Sequence, residues 1–144
     1  MSSSESKKVE ITIPAVSEFV RVARLAISGI AMHMDFTVED IEDIKIAVSE
    51  ACTNAVLYAY NGTKEGYIKL TCEVSGDTLD IQIEDQGVGF DMEKVKESES
   101  DNDEKGLGLG LMFVKNLMDE VTITSELGKG TRIKMAKKIS HKLS

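Results

Sequence analysis

The chain is short of cysteine, of basic residues and of uninterrupted apolar runs, and each shortage removes a class of protein. Its two cysteines lie far apart with no C-x-x-C spacing, Cys52 in a helical pattern and Cys72 in a strand pattern. That usage excludes a disulfide framework and a cysteine zinc site. Both read as small core residues of a reducing compartment, and the cytoplasm is the expected location. Lys and Arg number 17 against 25 Asp and Glu, a formal net charge of −8. Such acidity argues against sequence-independent DNA or RNA binding and leaves room for protein partners with basic surfaces. The most apolar stretch, residues 22–34, is broken by Arg24, Ser28, Gly29 and His33, so no membrane span is expected. Residues 1–8 are Ser-rich and polar with no apolar run behind them, unlike a secretory leader. Nor is there an internal repeat.

What is present fits one soluble domain: 144 residues, 42% apolar and 29% charged, enough for a single ordinary core. Residues 1–8 are expected to be a disordered tail. Val9, Ile11 and Ile13 alternate with polar neighbours and predict a short strand closed by Pro14, the only proline. A helix is predicted over 16–34, with Phe19, Val22, Ala23, Ala26, Ile27 and Ile30 as its apolar face. Arg21, Arg24 and Ser28 share another face, either a solvated stripe or a docking surface for a partner. Thr37-Val38-Glu39-Asp40 resembles a capping box. It opens a second helix carried by Ile41, Ile44, Val48, Ala51, Ala55 and Tyr58, until Asn61-Gly62 breaks it. Lys45 is expected to pair with Glu42 or to face solvent.

Two alternating runs, Ile68 to Val74 and Leu79 to Ile83, predict a hairpin turned at Ser75-Gly76-Asp77. The segment 91–105 carries seven acids and three lysines and predicts a mobile loop. A helix from Gly110 to Met118, a strand at Val121, Ile123 and Ser125, and a last strand at Ile133 and Met135 complete the pattern. The basic run from Lys137 to Ser144 is expected to fray. The order β-α-α-β-β-α-β-β with alternating strands predicts an α/β (α+β) two-layer sandwich. Its mixed, mostly antiparallel sheet would be solvated on one face and covered by helices on the other.

Four stretches carry possible chemistry. Glu50 and Asn54 stand one helical turn apart and project from one face. A carboxylate there can polarise a hydroxyl, and a carboxamide can ligate Mg²⁺. On its own the pair is also an ordinary solvated helix face. Asp85-Gln86-Gly87-Val88-Gly89 follows a strand. Its acid could accept a hydrogen bond from an exocyclic amine, and its glycines would let a flat base pack on the main chain. Turns after strands use the same residues. Gly106-Leu107-Gly108-Leu109-Gly110 runs toward a helix, where backbone N–H groups can face an anion. A connector would also be glycine-rich, but the alternating leucines look anchored in a core. Gly130-Thr131 offers a hydroxyl at a strand start.

These four stretches, in this order, resemble the nucleotide motifs of the GHKL, or histidine-kinase-like, ATPase superfamily. The run from Ile41 to Ala55, together with Leu117-Met118-Asp119-Glu120-Val121, is similar to the bacterial anti-sigma-factor serine kinases, stress-response members among them. The resemblance implies a Bergerat-type ATPase fold over 9–137, an ATP lid at about 91–105 and a basic tail over 138–144. It implies that Glu50 is the base for a serine hydroxyl, that Asn54 ligates Mg²⁺, and that Asp85 holds the adenine amine with help from Thr131. Gly87 and Gly89 would shape the base pocket, Gly106, Gly108 and Gly110 would line the phosphates of ATP, and Lys105 would reach the γ-phosphate. Implied partners are a sigma factor, an anti-anti-sigma antagonist with a STAS domain and a second copy of the chain, with Arg21 and Arg24 as the candidate docking residues. No direct nucleic-acid or membrane contact is implied.

Two rivals lose ground. Sensor histidine kinases usually carry Asn where Glu50 stands, and neither His33 nor His141 lies in a phospho-acceptor helix pair. Gyrase-like ATPases use a second domain for which this chain has no length. A nucleotide-gated binding module without kinase activity is the remaining alternative, and it leaves Glu50 unexplained.

Overall fold

The computed structural model describes residues 6–60, 66–89 and 102–140, the side chains of 102–109 excepted. Strand β1 (Lys7–Pro14) leads into helices α1 (Ser17–Met32) and α2 (Val38–Asn54), and α2 passes into a π-helical turn, Ala55–Ala59. Strands β2 (Tyr67–Ser75) and β3 (Thr78–Asp85) follow, then helix α3 (Asn102–Leu117) and strands β4 (Glu120–Glu126) and β5 (Gly130–Lys138). The strand order is β1-β2-β3-β5-β4. Every pairing among the described residues is antiparallel, so the parallel pair that a mixed sheet allows is not among them.

Alternation builds the core. Leu70, Ile83 and Ile133 lie side by side across β2, β3 and β5, and Cys72, Ile81 and Met135 form the next row. All six are buried under the helices together with Ile27, Ile44, Val48 and Val114. The opposite face is polar and carries ion pairs such as Arg132 with Glu84 at 2.8 Å. Helix α2 begins as its residues require, the Thr37 hydroxyl accepting the Asp40 backbone N–H at 3.0 Å. Lys45 pairs with Glu42 at 3.2 Å. Both cysteines are free and buried, and burial pushes their thiols up to about 12.

The structure departs from the sequence-based expectation in four places. Strand β1 starts at Lys7, because Lys7 and Lys8 pair with Val74 and Glu73; residues 1–5 lie outside the described residues. In α1 the buried residues are Val20, Ala23, Ile27, Ser28 and Ala31, while Phe19 and Val22 are exposed. The helix carries two apolar stripes, and the one with more small residues takes the close-packed side. Ser28, expected beside Arg21 and Arg24, is inside, its hydroxyl donating to the Leu25 carbonyl at 3.0 Å.

Helix α3 starts at Asn102 rather than Gly110. Asp103 and Glu104 suit a helix N-terminus, and Leu107 extends the apolar spacing of Leu111, Val114 and Met118 backward by a turn. The last departure is Lys137, which is buried rather than frayed. Its ammonium donates to the Leu117 carbonyl at the end of α3 at 2.7 Å. It also lies 3.9 Å from Asp40 and 3.8 Å from Asp43, in the first turns of α2. A cation at a helix C-terminus and two acids at a helix N-terminus suit both helix dipoles. Lys137→Met keeps the buried stem and removes the charge. It should lower stability by about 1–3 kcal/mol in urea unfolding, with an unchanged slope of free energy against urea.

Candidate active site

Helices α2 and α3 pack antiparallel: Lys137 joins their outer ends, and Gly110 meets Glu50 and Asn54 near the other. A Cβ on Gly110 would stand 3.2 Å from the Asn54 amide oxygen, 3.3 Å from its nitrogen and 3.3 Å from Glu50 Oε1. Any side chain there would press on both. Asn54 is 9% exposed, and its amide nitrogen has no hydrogen-bond partner among the described residues. A buried polar group left unpaired costs about 1–3 kcal/mol, which a ligand contact would relieve. Turning the carboxamide over exchanges nitrogen for oxygen, so the same position can present an oxygen to a cation.

Across the cleft the sheet changes character. In the row nearest Asn54, Ile68 is followed by Asp85, Thr131 and Ser125 on successive strands β3, β5 and β4. Asp85 is buried, and its Oδ1 accepts the Gly87 backbone N–H at 2.9 Å. Burial pushes this carboxyl above the usual carboxylate range, and hydrogen bonds from the backbone of Gly87 and Thr131 draw it partly back. The Ser125 and Thr131 hydroxyls are 2.8 Å apart. Ala51, Asn54, Ala55 and Ala59 form the helical wall, with Asp85 and Thr131 opposite.

Two close approaches hold the rim. The Ala59 carbonyl accepts the Val88 N–H at 2.7 Å, and a Cβ on Gly87 would overlap that carbonyl. Gly130 has φ +86°, and a Cβ there would overlap the Asp85 carbonyl. Both positions need glycine.

The structure thus brings Glu50, Asn54, Asp85, Gly87, Gly89, Gly110 and Thr131 around one cleft. Gly106 and Gly108 lie within α3, so their N–H groups are part of a helix rather than ahead of one. The side chain of Lys105 lies outside the described residues, as do residues 90–101 of the expected lid; 102–105 form the first turn of α3. Arg21 is exposed and Arg24 half-buried on α1, away from the cleft. No group of three or more His, Cys, Asp or Glu that could hold a metal is found among the described residues.

Sequence reasoning missed the helical wall and the π-helical turn. The wall has a signal: Ala51, Ala55 and Ala59, four apart, leave a flat groove. The turn has none, since 55–60 is a plain apolar run. Such turns gather at functional sites.

Residues 13–137 match the family model described as the histidine kinase-like ATPase domain. The chain belongs to that family. Within it, the serine-protein kinase RsbW of Bacillus velezensis is 40% identical over 127 residues, covering 83% of this chain and 79% of the relative. RsbW of Bacillus subtilis is 37% identical over 127 residues, with 83% and 79% covered. Among solved structures, the RsbU and RsbW domains of a Mycobacterium tuberculosis protein share the fold. The TM-score is 0.66 at 22% identity, over 94% of this chain and 33% of that one. With these relatives the chain is a protein serine kinase of the RsbW type.

In this kinase Asp85 stays protonated more readily when folded than when unfolded. Its contribution to stability is therefore fully present below the unfolded pKa and is lost as pH rises through the raised folded value. Asp85→Asn removes that loss. The variant should resist urea better than wild type at neutral pH, with the gap closing toward acid pH, while calorimetry shows weakened binding of adenine nucleotide.

Proposed function

We propose that this kinase is a cytoplasmic anti-sigma factor. It sequesters an RNA polymerase sigma factor and uses Mg-ATP to phosphorylate a serine of an anti-anti-sigma antagonist with a STAS domain. The observation that carries the catalytic part is the meeting of Glu50 and the buried Asn54 carboxamide against Gly110, the amide nitrogen having no partner among the described residues. The names of the RsbW relatives support the serine as acceptor.

Asp85 would accept from the adenine amino group, with the Thr131 hydroxyl assisting directly or through water. Gly87 and Gly89 keep the main chain close enough for the base to stack. Gly106, Gly108 and Gly110 would line the phosphates. Their N–H groups become available when the first turns of α3 open, and each glycine lowers the cost of opening by roughly 1 kcal/mol relative to alanine. Lys105 is the cation best placed in sequence for the γ-phosphate.

The Asn54 amide oxygen would hold Mg²⁺, which would neutralise charge on the phosphates. Glu50 takes the proton of the serine hydroxyl as the serine oxygen bonds to the γ-phosphorus. The bond from that phosphorus to the β–γ bridging oxygen breaks and ADP leaves. Phosphoryl transfer asks for positioning and charge neutralisation, which few side chains can supply.

The exposed stripe of Phe19, Val22, Leu25 and Met32 on α1 suits a protein partner, and a homodimer places it against a second copy. Exposed Arg21 adjoins it and is our candidate contact to the sigma factor, with the half-buried Arg24 on the same helix the second candidate.

Phosphate transfer from labelled Mg-ATP to the antagonist tests the assignment. Glu50→Ala should slow transfer about 100-fold or more with nucleotide affinity retained; equal rates for the variant and wild type would refute the role of Glu50. Arg21→Glu should weaken sigma-factor binding at least about tenfold, a change in Kd readable by calorimetry, and leave transfer intact.

A further inference from the structure

Helices α2 and α3 leave a strip of surface beside Glu50 that the nucleotide reading does not use. Their antiparallel register is pinned twice: Gly110 lies against Glu50 and Asn54, and Lys137 ties the Leu117 carbonyl to Asp43. Between these pins, Ile46 stands one turn before Glu50 and Phe113 one turn after Gly110. Both are large apolar side chains left exposed, at 38% and 45%. Ala47 and Val48 after Ile46, and Leu111 and Val114 on either side of the exposed pair Met112-Phe113, are buried in the core. Ile46 and Phe113 are therefore on the outer rims of the helix pair, one from each helix.

The position decides the occupant. Ala51, Asn54 and Ala55 line the inner side of the helix and face the sheet across the cleft. Glu50 is not among the residues lining that cleft, and the exposed Ile46 and Phe113 flank it on the outer surface of α2 and α3, a side from which a protein acceptor can bring a hydroxyl to it. We propose that Ile46 and Phe113 form a docking platform for the acceptor protein, gripping an apolar side chain of the segment that carries the serine. The proposal rests on Glu50 being the base and adds what lies next to the serine: an apolar residue rather than a charged one. A second copy of the chain is the competing occupant. A fully buried side chain of this size contributes enough to change binding by tenfold or more.

The test uses the full chain with Mg-ATP and an anti-anti-sigma protein that wild type phosphorylates. Ile46→Ser, Phe113→Ser and the double variant are compared with Ile46→Val and Phe113→Leu. The serine variants should raise KM for the acceptor at least about tenfold, with kcat within about threefold and ADP affinity unchanged. The conservative pair should restore KM. Thermal melts confirm that each variant is folded, and sedimentation reads its oligomeric state. An unchanged KM in folded serine variants overturns the proposal, as does a KM change that accompanies dissociation into monomers. Lack of transfer by wild type to every anti-anti-sigma protein offered would overturn the kinase reading first, and the platform with it.

Discussion

The site depends on a missing side chain. Gly110 lets the backbone of α3 lie within contact of both Glu50 and Asn54, so a carboxylate and a carboxamide on one helix meet the backbone of another. Had the position carried a side chain, the two helices would stand further apart and Asn54 would reach water. Its amide would then need no ligand. The close approach keeps Asn54 buried, its amide nitrogen without a partner among the described residues, an unfavourable arrangement for an unliganded fold and a favourable one for recognition.

Other costs gather at the same place. Asp85 is a buried acid at the end of a strand, and burial opposes its charge. The glycines at 106, 108 and 110 weaken helix formation where α3 runs past the cleft. Away from it the local rules agree with one another: rows of Leu, Ile and Met cross the sheet, the Thr37 cap is made, and alternation matches burial. Unfavourable choices concentrated at one end of a well-ordered sheet are expected where function, rather than stability, selects residues.

This division explains what was legible in the sequence. Alternation of Ile68, Leu70 and Cys72 against polar neighbours can satisfy only a half-buried strand. Glu50, Asn54, Asp85 and the glycines could be singled out because together, and in that order, they resemble the nucleotide motifs of the histidine-kinase-like ATPases; each stretch alone also fits an ordinary helix face or turn. The face that α1 buries was not legible, since Phe19 and Val22 are as apolar as Ile27 and only packing against α2 and β1 chooses between stripes. The start of α3 was hidden by its glycines, which argue for a loop one residue at a time but yield to the apolar spacing of the whole segment. Lys137 looked like part of a basic tail. Only the fold shows that a helix end and two acids from elsewhere in the chain converge on it.

That convergence bears on the active site. An α-helix turns about 100° per residue, so slipping α3 by a single position along α2 would replace Gly110 with Leu109 or Leu111 against Asn54. Hydrophobic packing alone tolerates such slips poorly but does not forbid them, because leucines flank the glycine on both sides. Lys137 lies two turns away from Gly110 and holds the last carbonyl of α3 against the first acids of α2. A directional contact of this kind fixes a register in a way that apolar surfaces do not. The buried lysine is thus placed, at one end of the helix pair, to favour the register in which Gly110 meets Glu50 and Asn54 at the other.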